Sequence, residues 1–330
     1  MSGFSLPELA LNPYVALAVG FVLLIFGGDL LVRGATTTAE RMGVSPLMIG
    51  LTLVALGTSA PELVTSLTAA FRDSPGIAVG NVVGSNIANI LLILGVTAVL
   101  TPLMVDRTAF RRDGLVLVLA TLLTVVVVLT GQLSSWLGWV MLVALVAYTI
   151  WAYMTERTSH DAEAVRHEHR AEEVHKAPPN IFLALGLALA GIGLTVAGAR
   201  ILVDGAVEVA GQLGVSDAVI GLTVVAVGTS LPELGASVIA AVRRQADIAL
   251  GNVIGSNIYN MLFILGATAV VKPIPVPAEI ARVDVWVMLA ATLALVLIVR
   301  GGWRISRWEG AGLLGAYGAY IGWMAWSNLA

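Results

Sequence analysis

Two glutamates, Glu62 and Glu233, stand in the middle of long apolar stretches. A carboxylate at bilayer depth costs at least ~2.5 kcal/mol, so such a residue is a candidate for function. Each glutamate follows a proline, which lacks the backbone N–H that would bond the carbonyl four residues earlier. Hydroxyl side chains precede both prolines, at Thr58, Ser59, Thr229 and Ser230. Carboxylates, carbonyls and hydroxyls form an all-oxygen set, which suits hard cations such as Ca²⁺ and Na⁺.

A second polar pattern follows each glutamate. Residues four apart share one helix face, namely Asn81, Ser85 and Asn89 after the first glutamate and Asn252, Ser256 and Asn260 after the second. Glycines between them would let another helix approach closely, at Gly80, Gly84, Gly251 and Gly255. These amides and hydroxyls either line the cation site or bond adjacent helices to one another.

Both patterns belong to an internal repeat. Residues 43–95 align without a gap onto 214–266, at a constant offset of 171. Within it, GNVVGSNIANILLILG matches GNVIGSNIYNMLFILG at 12 of 16 positions. A match of this length without insertions indicates a duplication, so each copy carries one glutamate and one polar helix face.

The composition indicates the elements that must position these residues. Of 330 residues, 58% are hydrophobic and only 12% are charged, about half the charged share of an ordinary soluble domain. This excludes a cytosolic enzyme, a nucleic-acid binder and a disordered chain, and it leaves an integral membrane protein. The chain has no Cys, which excludes disulfides and thiolate metal sites.

The chain is predicted to be all-α, with ten transmembrane helices of about 20 apolar residues each. The spans lie near 12–33, 45–71, 77–100, 114–131, 135–154, 180–203, 216–242, 248–271, 283–300 and 308–327. Spans 2, 3, 7 and 8 are predicted to be broken helices, because Gly, Pro, Ser, Thr and Asn interrupt them. The predicted units are a first five-helix repeat (1–154), a cytoplasmic linker (155–179) and a second five-helix repeat (180–330).

The distribution of basic residues predicts the orientation. With both termini outside, the inner segments hold 14 of the 18 Lys and Arg residues. Because five spans per half is an odd number, the second copy enters the membrane from the other side. The repeats are therefore predicted to be inverted, which is one of the common plans of secondary transporters.

At these motifs the sequence resembles a known family. GTSAPEL with GNVVGSNIANI, and GTSLPEL with GNVIGSNIYNM, resemble the two α-repeats of the Ca²⁺/cation antiporter superfamily, specifically its prokaryotic Na⁺/Ca²⁺ exchangers. The resemblance covers nearly the whole chain. It implies exchange of Na⁺ for Ca²⁺ across the cell membrane, with spans 1 and 6 sliding across a core that holds the ions.

The resemblance also implies roles for individual residues. Glu62 and Glu233 would be bidentate Ca²⁺ ligands shared with Na⁺, joined by the carbonyls of Thr58 and Thr229. Flanking Na⁺ sites would use the carbonyls of Ala55 and Ala226 and the hydroxyls of Ser59, Ser230, Ser85 and Ser256. Asn89 and Asn260 would line the centre.

Two departures bear on the coupling ion. K⁺-dependent relatives carry Asp at the position of Asn260, whereas both copies here have Asn, which argues against K⁺ co-transport. The H⁺/Ca²⁺ branch resembles a pattern with an extra Glu in the region of Val83 and Ile254, so a H⁺/Ca²⁺ exchanger is the alternative within transport. A passive cation channel and a non-transporting Ca²⁺ sensor are alternatives of another class.

The energetics favour an electrogenic cycle. Moving Ca²⁺ against a 10⁴-fold gradient costs ~5.5 kcal/mol. With a tenfold Na⁺ gradient and −100 mV, two Na⁺ supply ~2.7 kcal/mol, whereas three supply ~4.1 kcal/mol plus ~2.3 kcal/mol from one net charge. Three Na⁺ per Ca²⁺ are therefore expected under these conditions.

The remaining expectations concern ligands and partners. Ca²⁺ and Na⁺ are transported ions, and no cofactor, nucleic acid or required protein partner is expected besides the lipid bilayer. All four histidines fall in the 155–179 linker. This linker is interpreted as a solvated charged connection, or alternatively as a cytosolic metal or pH sensor.

Overall fold

The computed structural model describes residues 12–41, 59–159, 181–242 and 246–329 of the chain. This part is mainly helical, and its helical segments are labelled α1–α10. They are α1 (Pro13–Arg41), α2 (Ala60–Phe71), α3 (Pro75–Leu100), α4 (Arg107–Leu129), α5 (Ser135–Ser159), α6 (Ile181–Leu213), α7 (Asp217–Thr229 and Leu231–Val242), α8 (Ala246–Tyr259, Asn260–Ile264 and Leu265–Val271), α9 (Ile280–Gly302) and α10 (Arg307–Leu329). Four two-residue strands connect them, β1 (Leu103–Met104), β2 (Gln132–Leu133), β3 (Ile274–Pro275) and β4 (Arg304–Ile305).

The described helices confirm a multi-pass membrane protein. Seven of them are long and apolar enough to cross a bilayer, and α7 is an eighth if the two parts beside its 43° bend form one span. The two other predicted spans are not decided. α2 has 12 described residues because 42–58 lie outside the described part, and α10 is rich in glycine.

Several helices run further than the predicted spans, and α1 and α6 do so most. α1 ends at Arg41 rather than near 33, and α6 ends at Leu213 rather than near 203. The predicted ends stopped near the first charged residues, but the helices accommodate these charges. Arg33 Nε pairs with Asp29 Oδ1 at 2.9 Å along α1. In α6, Asp204 Oδ2 accepts a hydrogen bond from Arg72 of the α2–α3 turn at 2.8 Å.

The polar helices α3 and α8 form the centre of the fold. Each is one continuous span with a π-helical turn at Asn89–Ile93 or Asn260–Ile264, so the prediction that these two helices are broken was wrong. In the most apolar segment of each helix, 83% of the residues of α3 and 78% of those of α8 are buried. The corresponding shares are 33% in α1 and 22% in α6. α1 and α6 pack along each other at the periphery through glycines that allow close backbone contact. A Cβ on Gly27, for example, would lie 2.6 Å from the backbone nitrogen of Thr195.

Glycines also bring α3 against α7, as predicted for the first copy. A Cβ on Gly80 would lie 2.9 Å from the carbonyl oxygen of Ala218, and one on Gly84 would lie 2.8 Å from the Cβ of Ala226. Within the described ranges nothing lies that close to Gly251 or Gly255. The partner expected from the repeat for these two glycines would come from residues 42–58, outside the described part.

Several contacts join residues that the repeat makes equivalent. The hydroxyls of Thr121 and Thr292 lie 3.2 Å apart, and Asn257 Nδ2 donates to the carbonyl of Asn86 at 3.5 Å. Both pairs are separated by 171 residues. The strands repeat too, since β1 pairs antiparallel with β4 and β2 pairs antiparallel with β3. Equivalent residues in mutual contact lie where a two-fold axis between the copies would pass.

Candidate cation site

Both glutamates sit near the start of a helix, shortly after a serine with a non-helical backbone. Ser59 and Ser230 adopt the same non-helical conformation, with φ −89° and ψ 7° at Ser59 and φ −85° and ψ 7° at Ser230. A new helix begins after each serine, and Glu62 and Glu233 lie in its first turn. The positive end of each helix dipole thus lies beside its carboxylate. The predicted break is confirmed in α7, where it bends the helix by 43°. In the first copy, residues 42–58 lie outside the described part, so the break there stays a prediction.

The two carboxylates are buried and only partly hydrogen-bonded. Glu62 is 0% exposed and Glu233 is 1% exposed. Ser230 Oγ donates to Glu62 Oε1 at 3.1 Å, across the two halves of the chain. Glu62 Oε2 and both carboxyl oxygens of Glu233 have no partner within the described residues. Since like charges repel and burial removes hydration, two ionised carboxylates here need a cation between or beside them.

Two asparagines fix the glutamate backbones in the same way. Asn81 Nδ2 donates to the Glu62 carbonyl at 3.2 Å and to Ser66 Oγ at 3.0 Å. In the second copy, Asn252 Nδ2 donates to the Glu233 carbonyl at 3.3 Å and to Ser237 Oγ at 3.0 Å. We call these two groups the amide clamps. They hold each glutamate-bearing helix turn against the neighbouring polar helix, α3 or α8.

The first clamp also reaches the second copy. Thr229 Oγ1, at the break in α7, donates to Asn81 Oδ1 at 3.0 Å. Ser85 Oγ of α3 donates to the Ala226 carbonyl at 3.3 Å, and Thr229 Oγ1 contacts the same carbonyl at 3.2 Å. The carbonyl of Ala226 also accepts from the Ser230 N–H at 3.1 Å, so it has two donors besides the Thr229 hydroxyl nearby. These bonds hold α3 against the break in α7.

Asn89 and Asn260 each begin a single π-helical turn, Asn89–Ile93 and Asn260–Ile264, and both side chains are buried. Asn89 Nδ2 donates to Asn257 Oδ1 at 3.0 Å, and Asn89 Oδ1 has no partner among the residues that the structure describes. Neither amide atom of Asn260 has a partner in the described part of the chain. π-Turns inside α-helices are frequent at functional sites, and these two sit at the repeat-equivalent centre of the fold.

Some of the other predicted ligands lie within the described residues and some lie outside them. Ser59 Oγ is buried and has no partner among the described residues, and Ser256 is also buried. Thr58 and Ala55 lie outside the described residues. The structure thus gathers Glu62 and Ser230 in direct contact, and links Thr229, Ala226 and Ser85 by hydrogen bonds.

The amide clamps were not assigned to the site from the sequence. For Asn81 and Asn252, structural bonding and ligand roles remained equally open, and Ser66 and Ser237 were not considered. A signal was present, because each serine lies four residues after its glutamate and on the same helix face in both copies. The sequence alone does not show that α3 packs against the side of α2 that carries Ser66.

These features define a class of protein. Two buried carboxylates lie among buried oxygens that have no partner within the described residues, inside a multi-pass membrane protein. A set of this kind suits a hard cation, so we treat it as a candidate cation site. Within the described ranges no three His, Cys, Asp or Glu side chains cluster as a metal site, so neutral oxygens would have to complete the coordination.

Comparison with known proteins gives the particular family. The family model of the sodium/calcium exchanger protein matches residues 12–154 and 183–326, so the chain belongs to this family. It is 42% identical over 308 residues to the protein CaxA of Alkalimonas amylolytica, covering 92% of this chain and 95% of that protein. It is 35% identical over 342 residues to the sodium/calcium exchanger MaX1 of Methanosarcina acetivorans, covering 93% and 97%.

The fold is similar to a solved exchanger. A structure of the sodium-calcium exchanger NCX_Mj, soaked with Na⁺ and Sr²⁺, matches with a TM-score of 0.63 and 34% sequence identity. The match covers 94% of this chain and 98% of that one. The family is one of transporters and not of enzymes.

Proposed function

We propose that this chain is a secondary active antiporter that exchanges Na⁺ for Ca²⁺ across the membrane by alternating access. The observation that carries the proposal is a contact between the two copies, where Ser230 Oγ bonds Glu62 Oε1. The buried oxygens around this contact have no partner within the described residues. One Ca²⁺ would neutralise both glutamates, and so would two Na⁺. The same centre can therefore accept either cargo, which is what exchange requires.

The proposed ligand set follows the two copies. Glu62 and Glu233 bind Ca²⁺, together with the carbonyls of Thr58 and Thr229. Na⁺ is held by the same glutamates with Ser59, Ser230, Ser85 and Ser256 and the carbonyls of Ala55 and Ala226. Asn89 and Asn260 line the centre. Support comes from the burial and open oxygens of the described members of this set.

The proposed architecture is ten transmembrane helices in two inverted five-helix repeats, 1–154 and 180–330, joined by the linker 155–179. The contacts between Thr121 and Thr292, and between Asn86 and Asn257, support a two-fold relation between the copies. Identical amide clamps and π-turns at an offset of 171 support it further. The distribution of basic residues favours both termini outside the cell membrane.

The proposed cycle carries three Na⁺ per Ca²⁺, is electrogenic and does not need K⁺. The neutral Asn89 and Asn260 support K⁺ independence, because the centre then holds two formal negative charges and no third one.

Uptake of ⁴⁵Ca²⁺ into proteoliposomes tests the function. The purified chain is reconstituted with an imposed Na⁺ gradient, an imposed H⁺ gradient or neither. Uptake that follows only the Na⁺ gradient is expected. Uptake that follows the H⁺ gradient would replace the proposal with a H⁺/Ca²⁺ exchanger, and equal uptake in all three conditions would indicate a passive channel.

A further inference from the structure

A basic surface lies where α4, α9 and α10 meet. The β1–β4 strand pair joins the start of α4 to the connection between α9 and α10. Five arginines converge on this junction and are exposed: Arg107, Arg111, Arg300, Arg304 and Arg307. We call them the arginine cluster. None of the five forms an ion pair within the part of the chain that the structure describes.

Two of these arginines stack on one tryptophan. The guanidinium carbons of Arg107 and Arg111 lie 5.2 Å and 5.6 Å from the ring centroid of Trp303. Hydrogen bonds fix the backbone of Trp303 on both sides. Its N–H donates to the Val299 carbonyl at 2.7 Å, and its carbonyl accepts from the Val105 N–H at 3.0 Å. Cation–π contacts of this kind fix the position of the positive charges.

This arrangement is unfavourable without an anion. Arg107 and Arg111 are four residues apart on α4, where like charges repel each other. Trp303 adopts a left-handed backbone conformation, with φ 53°, which is uncommon for a bulky residue. The nearby carboxylates have other partners, since Asp106 accepts from the Thr108 N–H at 2.9 Å and Glu309 accepts from Ser306 at 2.6 Å. An anion between the guanidiniums would remove the repulsion.

The other end of the molecule provides a comparison. The β2–β3 pair repeats the same strand arrangement, with Leu133 opposite Ile274 as Ile305 is opposite Leu103. At the offset of 171, Arg107 and Arg111 correspond to Ala278 and Arg282. The strand register matches Ile305 with Leu133, an offset of 172, so Arg300, Arg304 and Arg307 correspond to Val128, Gln132 and Ser135. Five arginines at one end thus face a single arginine at the equivalent positions of the other, so the strand arrangement itself does not require the arginines.

We propose that the arginine cluster binds the phosphate headgroup of an anionic phospholipid. Arginine presents a planar donor fork that matches phosphate oxygens, and tryptophan beside arginine is typical of the membrane–water interface. In the orientation given under the proposed function, this surface faces the cytoplasmic leaflet. The binding itself does not depend on transport, so the two proposals fail independently.

Native mass spectrometry of the purified full chain tests the site. The protein is incubated with phosphatidylglycerol or with phosphatidylcholine at equal concentration. Preferential retention of phosphatidylglycerol is expected in the wild type. Since each arginine near a membrane surface contributes about fivefold to binding of anionic lipid, the double variant Arg107→Gln/Arg111→Gln should lower this retention by more than tenfold.

Two further variants make the result decisive. Arg282→Gln changes the equivalent of Arg111 at the opposite end and should leave retention unchanged. Arg107→Lys/Arg111→Lys keeps the charge without the planar fork and should retain lipid at an intermediate level, which also shows that changes at these positions are tolerated. Wild-type retention in the double Gln variant, or an equal loss in Arg282→Gln, would overturn the proposal.

A free anion is the remaining source of the same chemistry. Millimolar inorganic phosphate is added to the wild type together with phosphatidylglycerol. No displacement of the lipid is expected, because the acyl chains add apolar contact that phosphate lacks. Displacement by phosphate would overturn the assignment to a lipid.

Discussion

At the scale of single residues, the two glutamates of the centre are deeply buried but make few hydrogen bonds within the described residues. Glu62 and Glu233 are almost completely buried, yet three of their four carboxyl oxygens have no partner in the described part of the chain. A structural carboxylate at this depth would be expected to have its hydrogen bonds made. Oxygens left open in a dry centre are instead suited to a cation that arrives and leaves.

Glu62→Gln and Glu233→Gln should each abolish Ca²⁺ transport. Each change removes half of the negative charge and one hard ligand, and breaking a buried charge interaction costs ~3 kcal/mol or more, which corresponds to about two decades in rate or affinity. ⁴⁵Ca²⁺ flux in proteoliposomes measures the loss. Glu208→Gln, on the exposed part of α6, is the matched control and should behave as wild type. Near-wild-type flux in either site variant would refute the assignment.

Asn81→Ala should raise the Ca²⁺ concentration for half-maximal flux by about tenfold, because it removes hydrogen bonds worth ~1 kcal/mol each to Glu62 and its surroundings. The maximal rate should change much less, since no ligand is lost. Asn81→Ser keeps a donor and should restore part of the affinity. Thr124→Val is the control, since the buried Thr124 hydroxyl donates to the Ala120 carbonyl and to no other group in the described part of the chain. An unchanged half-maximal concentration with a lower rate would show a merely structural role.

The sequence predicted much of the centre because the chemistry is repeated within it. The glutamate, proline and hydroxyl pattern occurs twice at one offset, so it predicts the bend in α7 and the candidate ligands beside both glutamates. The amide clamps could not, since an asparagine that bonds a neighbouring carbonyl and one that binds a cation have the same spacing. Only the packing of α3 against α2 distinguishes the two.

At the scale of elements, the position of α1 against α7 is fixed by one close contact. The ring of Phe21 lies directly over Gly228, beside the break that carries Ser230, and leaves no space for a Cβ. This contact joins a peripheral helix to the cation centre. Under the proposed alternating access, α1 and α6 slide across the core, so the contact has to be made and released in every cycle.

Gly228→Ala should slow exchange by about tenfold or more, because overpacking of this kind costs ~1–3 kcal/mol. Phe21→Ala in the same chain should restore much of the rate by removing the ring that clashes. Gly235→Ala, where nothing in the described structure lies within 4 Å of the added methyl group, is the control on the same helix. The measurement is Na⁺-driven ⁴⁵Ca²⁺ flux. If Gly228→Ala slows flux equally with Phe21 present and with Phe21→Ala, the contact between Phe21 and Gly228 does not limit exchange.

Helix positions were predicted well and helix ends were not. Hydrophobic runs locate the spans because the bilayer requires them. The ends of α1 and α6 were placed too early, because charges such as Asp29 with Arg33 and Asp204 with Arg72 are paired within the fold. Pairing of this kind, when it joins residues 132 positions apart, has no signature in a single sequence.

At the scale of the whole molecule, one ion pair connects the peripheral helices to the core. Arg72, in the turn between α2 and α3, bonds Asp204 of α6 at 2.8 Å. The equivalent positions in the repeat are Arg243 and Arg33, both basic, so the sequence provides no opposite charge there. The pair therefore stabilises the conformation seen in this structure. No equivalent pair is available to stabilise the opposite conformation of the proposed transport cycle.

Asp204→Asn should make the centre more accessible from the side of Arg72. The chain has no Cys, so Thr65→Cys introduces a single thiol between Glu62 and that end of α2. A membrane-impermeant thiol reagent should label it several times faster when Asp204→Asn is added. Asp29→Asn breaks a pair within α1 and serves as control. If the labelling rate stays constant in both Asp204→Asn and Arg72→Gln, the ion pair between these two residues does not restrict access to the centre.

The most direct test of Na⁺/Ca²⁺ exchange is the reversal point of ⁴⁵Ca²⁺ flux in proteoliposomes, measured while the Na⁺ gradient and the membrane potential are varied separately. With three Na⁺ per Ca²⁺, a tenfold Na⁺ gradient should balance a ~10³-fold Ca²⁺ gradient at zero potential, and each 100 mV should shift that balance ~50-fold through the one net charge. The reversal point should not change when K⁺ is added. A reversal point that ignores the Na⁺ gradient, or that follows the H⁺ gradient, would contradict Na⁺/Ca²⁺ exchange at the two glutamates.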